Sequence, residues 1–544
     1  MPAVNPDMPG LLAFLAAAGL AVARTARPDL RAWWAKRRVF LALLAAALFL
    51  GQRDALRANF QLWNPDESQM IAGALVLSDR PVFWRDVDGT THGPLNQWPL
   101  LLPALLGARV DYTSARAVGA LLTILLLSSL LVALARRMPE GLARLLVLPG
   151  WALFIFNQDP EISQYTSELP PALLLMIAVA LLPAAGPVSA QRLFAVGLCC
   201  GAAPFAKLQI APSAAWLLVA AAIIAFRSSR GRGLGALLAG AALPALLFVG
   251  SAAAAGAFAD FRIRYLETNL LGYAAQGRKY FNNEPPRPDM LFGFGWFLWP
   301  VAGAAALAIV GLFRARTRPD RGFLALAAGL VATTLFAIYF PNKPFAHYFL
   351  LLVTPLLLLL GAAAAPWLGA LLERASTLRR AGIAVALLAV LSAPVAGHHF
   401  RHPGYLRAIL PTRAAVPRPL IEALQRHTRP GDGLAVWGWQ PALYVFTQTV
   451  SATPDLIVFW QVVPSARQEF YQARYLHALT ARPPVVFVDT MGPADFFFFR
   501  RGGETQHERF AALRDFINAN YTLVETVSDS RIYLRRDLTA RFPP

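Results

Sequence analysis

Residues 348–372 read YFLLLVTPLLLLLGAAAAPWLGALL, a run of 25 residues without a charged side chain. An apolar helix of about 20 residues is long enough to cross the hydrocarbon core of a bilayer. Similar runs recur at 39–52, 113–135, 145–157, 169–185, 193–206, 211–226, 234–258, 291–313, 322–340 and 381–397. A shorter run, 9–23, is interpreted as an extra first helix because it lacks the basic region and cleavage site of a signal peptide. The pattern predicts a polytopic α-helical membrane protein with about 11 or 12 transmembrane helices.

Composition supports a membrane protein and argues against a nucleic-acid binder. Only 15% of the 544 residues are charged, against about 25% in soluble proteins, and the mean hydropathy is +0.47. The net charge is +19, but its basic residues lie mostly in short clusters between apolar runs, where they orient helices and meet anionic lipids. The two cysteines, Cys199 and Cys200, are adjacent and have neither disulfide nor metal-site spacing.

Basic clusters predict the orientation of the chain in the membrane. With Arg24–Arg38 on the cytoplasmic side, strict alternation puts the clusters at 136–144, 227–232, 314–321 and 374–380 on the same side, as the positive-inside rule requires. The remaining loops then lie outside: 53–112, 158–168, 259–290, 341–347 and everything after about residue 398.

The sequence changes character after residue 397. Helix-like stretches alternate with short β-rich runs, which predicts a small α/β domain over 398–544 on the extracytoplasmic side. The predicted helices are Pro419–His427, Ser465–Leu479 and Gln506–Ala519; the predicted strands are Leu434–Trp437, Val485–Val488, Tyr521–Val527 and Ile532–Leu534. The preceding residues, 1–397, form the predicted transmembrane domain.

The first outer loop begins Asn64-Pro65-Asp66-Glu67. One interpretation is helix capping, with Asn64 as N-cap and Glu67 as the acid of a capping box. The other is that Asp66 or Glu67 is a general base at the membrane surface. A helix start holds a carboxylate rigidly, so the two interpretations are compatible.

Four further positions in the outer loops have both a structural and a functional interpretation. His92 is either a structural histidine or a contact for phosphate or sugar. The second outer loop carries Asp159, Glu161 and Glu168 and no basic residue. Thr166 is expected to cap the following helix, and Glu168 would then be an acid at the helix start. Such a cluster of acids also suits a cation, sugar hydroxyls or the tuning of a base. Sugar binding is favoured over metal binding because a third or fourth ligand of a metal cage is not evident.

Cations on the outer side are few. Lys207, Lys343 and His347 are the notable ones. Each either lies along the membrane interface with its charge in water or neutralises the phosphate of an anionic lipid.

These motifs together resemble GT-C glycosyltransferases, in particular the protein O-mannosyltransferase-like and aminoarabinose-transferase-like bacterial enzymes. Asn64-Pro65-Asp66-Glu67 resembles their acidic first-loop motif. Similar matches follow in order along nearly the whole chain: His92-Gly93-Pro94-Leu95, Tyr165 to Pro170, Phe205-Ala206-Lys207, His347-Tyr348-Phe349, and Val436 to Tyr444. Gly93 and Glu168 depart from the family pattern, which has proline and aspartate at these positions.

The resemblance implies transfer of a sugar from a polyprenyl monophosphate to an acceptor outside the cytoplasm. A carboxylate (Asp66, Glu67 or Glu168) would act on the acceptor, and His92, Asp159, Lys207, Lys343, His347 and Tyr348 would contact the substrates or the departing phosphate. One base suffices for an inverting displacement, and neither a cofactor nor a metal is expected. Membrane lipids are the remaining partner expected.

Other classes of membrane protein explain the sequence less well. A transporter or flippase of lipid-linked glycans would explain the helices but not the long outer tail or the acids gathered in loops. An oligosaccharyltransferase or glycan ligase would differ in its donor, and the first of these would need a divalent metal. A receptor-like anchor would not need so many spans.

Overall fold

The computed structural model describes most of the chain, namely residues 8–29, 32, 36–60, 65–89, 91–157, 159–184, 186–273, 292–314, 320–341, 343, 345–401, 416–492 and 505–541. Its residues group into two compact units, each assembled from three stretches of sequence. Unit 1 comprises Met1–Arg57, Arg116–Phe248 and Gln276–Arg407; unit 2 comprises Ala58–Ala115, Val249–Ala275 and Ala408–Pro544.

The described residues in the first three quarters of the chain are mostly helical. In chain order these are α1 (Met8–Ala26), α2 (Arg37–Gly51), α3 (Arg53–Arg57), α4 (Pro65–Asp79), α5 (Pro94–Gln97), α6 (Leu102–Leu105), α7 (Tyr112–Ala135), α8 (Glu140–Phe156), α9 (Pro160–Ser163), α10 (Leu169–Leu181), α11 (Ala190–Ala206), α12 (Ala211–Ala254), α13 (Phe258–Asp260), α14 (Phe292–Arg314), α15 (Arg321–Tyr339), α16 (Leu350–Arg374) and α17 (Thr377–Arg401). A π-helix follows α13 at Phe261–Tyr273, and 3₁₀ turns occur at Trp98–Leu101, Leu208–Ile210 and Ala346–Phe349.

The predicted fold class is confirmed. Within the described residues, seven helical segments are long and apolar enough to cross a membrane, and α10, α11 and residues 297–312 of α14 are shorter apolar helices. The extra first helix predicted at 9–23 is α1, one of the seven. The predicted spans 39–52 and 145–157 fold as α2 and α8, with 15 and 17 residues, fewer than the about 20 of a straight crossing.

Helix α12 is too long for one span and turns back on itself. A Cβ atom on Gly197 would collide with the Leu237 carbonyl, and one on Gly201 with the Ala241 carbonyl. The second part of α12 therefore runs parallel to α11 and touches its backbone. Because α12 starts just beyond the end of α11, a straight helix could not make both contacts. The chain reverses between Ala211 and Leu237, as the two predicted spans 211–226 and 234–258 require.

Charged residues collect at one end of unit 1. Glu140, at the start of α8, pairs with Arg37 of α2 at 3.1 Å and with Arg144 at 2.7 Å. Arg137, just after α7, donates to the carbonyls of Leu182 and Pro183 after α10. We call this the basic end. At the opposite end, the Gln52 amide after α2 donates to the carbonyls of Phe154 and Asn157, where α8 finishes.

Unit 2 contains one five-stranded sheet in the order β2-β1-β3-β5-β4. Its strands are β1 (Gly433–Trp437), β2 (Val450–Ser451), β3 (Val486–Asp489), β4 (Tyr521–Val527) and β5 (Ser530–Arg535). Strand β1 is parallel to β2 and β3, whereas β5 is antiparallel to β3 and β4. Helices α18 (Arg418–His427), α19 (Ala442–Thr447), α20 (Gln468–Ala481) and α21 (Ala511–Asn520) alternate with the strands, and 3₁₀ turns lie at His507–Arg509 and Arg536–Arg541.

Buried and partly buried ion pairs join the three stretches of unit 2. Arg264 of the π-helix pairs with Asp88 of the first loop and, at 2.8 Å, with Asp455 near the sheet. Arg474 of α20 pairs with Asp260 of α13 at 2.6 Å. Residues 80–89 are therefore part of a folded body rather than a free connection. The predicted boundary at residue 397 between membrane domain and tail domain stays a prediction.

We expect the basic end to face the cytoplasm, because short basic loops are retained on that side. Alkaline phosphatase, which needs disulfides formed outside the cytoplasm, should be active when fused after Arg401 and inactive when fused after Arg380. The measurement is phosphatase activity per amount of fusion protein in whole cells. The reverse pattern would contradict the predicted topology.

Candidate active site

The predicted site residues divide into two groups according to the unit that contains them. Asp66, Glu67 and His92 belong to unit 2, and Asp159, Glu168, Lys207, Lys343, His347 and Tyr348 belong to unit 1. Each group is described within its own unit.

The second outer loop is organised by side chains that accept backbone hydrogen bonds. Asn157 Oδ1 accepts from the Asp159 amide at 2.8 Å, and Asp159 Oδ1 accepts from the Glu161 amide at 2.9 Å. Asparagine and aspartate favour such local turns. Burial raises the pKa of Asp159 to about 6. Asp159 therefore organises the turn that leads into α9.

Glu168 is fully buried immediately before α10. Thr166 was expected to cap this helix, and that expectation is wrong: Glu168 occupies the N-cap position, and its side chain makes no capping hydrogen bond. Its carboxylate instead forms an ion pair with the Lys207 ammonium, which also donates to Ser167 Oγ at 2.8 Å. A buried charge is costly unless it has a partner of opposite charge. The ion pair with Lys207 therefore explains the presence of a buried acid at this position better than helix capping does.

Lys207 and His347 both lie next to the Glu168 carboxylate. Lys207 ends α11, and its Nζ lies 4.7 Å above the centre of the Tyr348 ring. His347 Nδ1 is 2.7 Å from Glu161 Oε2, and its Nε2 is 4.0 Å from Glu168 Oε1. We call these five residues, Glu161, Glu168, Lys207, His347 and Tyr348, the Glu–Lys–His cluster.

The charge of Glu168 depends on burial and on its neighbours in this cluster. Burial alone would raise the pKa of Glu168, but Lys207 and then His347 outweigh it, so the pKa lies below the usual value. The lowered pKa favours the ionised form of Glu168 beside Lys207 and His347, and its predicted catalytic role stays a prediction. Lys343 is buried four residues before His347. The sequence analysis recognised the second outer loop as acidic but did not predict that Glu161 pairs with His347.

The first-loop acids lie at the start of α4. Asp66 is partly exposed in the first turn, whereas Glu67 is fully buried. Asn64 lies outside the described residues, so the predicted capping box is not tested. The next residue, Ser68, shares a 2.8 Å hydrogen bond with the Tyr112 hydroxyl. The positive end of the helix dipole is where a carboxylate is stabilised.

His92 is held against α4 by its neighbours. It is buried, and its Nε2 lies 3.2 Å from the Gln97 amide nitrogen. A Cβ atom on Gly73 of α4 would collide with that Gln97 amide, so glycine permits the close approach. The imidazole is thus fixed in position relative to the helix that carries Asp66.

One further group in unit 2 has the geometry of a metal site. Within the described residues, Asp489, His507 and Glu508 alone bring three ligand atoms close together. However, the Arg531 guanidinium pairs with Asp489 at 2.7 Å and also with Glu508. Arg531 already pairs with both acids, so the arrangement suits a structural ion-pair network at the end of β3. This network was not recognised from the sequence.

The Glu168–Lys207 pair gives a stability prediction. Lys207→Met leaves an uncompensated carboxylate in a buried site, so we expect the free energy of unfolding to fall by about 3 kcal/mol. The double variant Glu168→Gln/Lys207→Met removes both charges and should recover most of that loss. Thermal unfolding in detergent measures both. A double variant as unstable as Lys207→Met would show that pairing is not what stabilises the site.

Comparisons with known proteins identify the fold. No family model matches the sequence, and no curated protein matches it. Among solved structures, ArnT from Cupriavidus metallidurans bound to undecaprenyl phosphate matches 92% of this chain and 98% of its own, at 15% identity and a TM-score of 0.54. The apo form of the same protein matches 93% and 99%, at 14% identity and a TM-score of 0.56.

Identity this low establishes the fold and nothing further. The match nevertheless runs through both units and nearly all of either chain. ArnT is a GT-C glycosyltransferase. The resemblance predicted from the motifs is therefore confirmed at the level of structure, and the chain has the GT-C membrane fold of ArnT.

Proposed function

We propose that this protein is a membrane glycosyltransferase that moves a sugar from a polyprenyl-phosphate donor to an extracytoplasmic acceptor. The observation that carries the proposal is the fold match over almost the whole chain to ArnT, one of whose structures contains undecaprenyl phosphate. The acceptor is a lipid, glycan or protein. The site would lie at the surface of the inner membrane, where an isoprenoid tail can remain among the helices.

The Glu–Lys–His cluster suits the phosphate of the donor. An ammonium group has three donors, and those of Lys207 are directed to Glu168 and Ser167, which accounts for two. The third is available for a phosphate oxygen, and His347 and Lys343 would add charge. Donors fixed before the reaction stabilise the negative charge that develops on a leaving group. Glu168 then acts by positioning Lys207 and His347.

Asp66 is our candidate base. Its carboxylate is partly exposed at a helix start, whereas Glu67 is buried. In the proposed step the acceptor hydroxyl or amine gives its proton to Asp66 as its heteroatom bonds to the anomeric carbon. The bond from that carbon to the phosphate oxygen breaks, and its electron pair stays on the polyprenyl phosphate. A single displacement inverts the anomeric configuration. His92, Asp159 and Tyr348 are proposed substrate contacts.

Asp66→Asn should abolish transfer while leaving the thermal stability nearly unchanged. The amide keeps the shape of the side chain and its hydrogen-bonding capacity but cannot take a proton as a carboxylate does. The assay compares envelope glycans and lipids by mass spectrometry in a strain lacking the gene, complemented with the parental protein or the variant. If Asp66 only stabilises the helix end, the loss would be about 1 kcal/mol of stability with transfer preserved.

Asp79→Asn is the matched control, since Asp79 ends the same helix and is 63% exposed. It should complement as the parental protein does. Glu67→Gln tests the neighbouring acid, and Glu168→Gln should reduce transfer without abolishing it. Abolition by Glu67→Gln alone would reassign the base to Glu67. Parental transfer in Asp66→Asn, Glu67→Gln and Glu168→Gln would refute the proposed site.

Transfer should not need a divalent metal, because the side chains of the cluster can neutralise a monophosphate leaving group. The measurement is transfer by the purified protein with excess chelator, using lipid extract as the source of donor. We expect no change in rate. Complete loss that one metal restores would instead assign metal binding to the acidic loops.

A further inference from the structure

A cavity of about 800 Å³ lies at the basic end of unit 1. Its walls are formed by the first half of α12, the start of α15 and the turn after α10, with Trp216, Ile223 and Phe323 among the lining residues. The volume is within the range of about 300–1,000 Å³ that is typical of small-molecule sites. This cavity shares no residue with the Glu–Lys–His cluster.

The wall formed by α12 faces lipid. Residues 208–227 are apolar enough to cross a membrane, and Val219 and Ile223 in this segment are 51% and 49% exposed. Apolar residues on the outside of a membrane span contact hydrocarbon chains. A cavity open on that side and lined by apolar groups is poorly suited to water, which needs two to four polar partners. Its occupant therefore has an apolar chain.

The rim of the cavity carries positive charge. Arg137 and Arg227 line it together with a single acid, Asp320. Arg137 donates to the carbonyls of Ala133, Leu182 and Pro183, which fix its position without neutralising it. Asp320 Oδ1 accepts from the Phe323 amide at the start of α15, 3.0 Å away. The rim keeps one net positive charge beside an apolar volume.

We propose that this cavity is a binding site for one anionic phospholipid. The acyl chains lie against Trp216, Val219 and Ile223, and the phosphate meets Arg227 and Arg137. Basic pockets between membrane helices on the cytoplasmic side bind anionic head groups. A polyprenyl phosphate has the same chemistry, but the proposed donor site is at the opposite end of unit 1, which favours a resident phospholipid here. The choice between these two lipids rests on the proposed function, whereas the anionic-lipid site itself does not.

The test measures lipid binding by the full-length protein in neutral detergent. Phosphatidylglycerol and phosphatidylcholine are titrated separately, with native mass spectrometry and thermal unfolding as readouts. Phosphatidylglycerol should bind more tightly and raise the melting temperature more. Arg227→Gln should weaken its binding about fivefold, the equivalent of about 1 kcal/mol for one basic residue near a lipid phosphate. Ala220→Phe, which fills the cavity, should weaken both lipids.

Arg232→Gln is the matched control, an exposed arginine of the same helix outside the cavity, and it should bind as the parental protein does. Equal binding of the two lipids, or parental binding by Arg227→Gln, would overturn the proposal. Tighter binding of undecaprenyl phosphate than of phosphatidylglycerol, weakened by Arg227→Gln, would overturn the assignment to a phospholipid. Should Ala220→Phe fail to fold, Arg227→Gln alone decides.

Discussion

The ion pair between Glu168 and Lys207 is the interaction on which the proposed donor site depends. Both side chains are almost fully buried, and charges in such surroundings are costly unless paired and hydrogen-bonded. Their pairing joins the start of α10 to the end of α11, and His347 adds the segment that leads into α16. At the basic end, Glu140 of α8 forms a more exposed ion pair with Arg37 of α2. Apolar packing fills the space between these two ends, so ion pairs fix where the helices begin and end.

Unit 2 follows the same rule with different residues. Arg264 is buried and is paired with Asp88 and Asp455, which come from distant parts of the sequence. Removing Arg264 would leave two buried carboxylates without their shared cation. The loop that carries His92 and the helix that carries Asp66 are thereby tied to the sheet domain, since Asp88 lies between them in the chain and the Gln69 amide donates to its carbonyl. A site assembled from loops can be rigid when its charges are paired in this way.

Periodicity and composition predicted most of the fold, whereas pairings between distant residues were not predictable. Strand β4 folds at Tyr521–Val527 as predicted, but the two-residue strand β2 and the six-residue helix α19 are too short to produce a pattern. At the site, the residue types were recognised and their contacts were not. Thr166 was taken as a cap because it precedes a helix, but the partner that decides the role of Glu168 is Lys207, 39 residues further along the chain. No local rule predicts such a contact.

Burial and accessibility bear on which of the predicted acids suits the proposed role of base. Glu168 is committed to Lys207, and Glu161 to His347. Asp159 has a pKa raised to about 6 by burial, but its carboxylate oxygen already accepts from a backbone amide. Asp66 is partly exposed in the first turn of α4, where the helix dipole stabilises a carboxylate. A base must be charged, fixed and accessible to an acceptor at once, and among the predicted acids Asp66 combines these properties best.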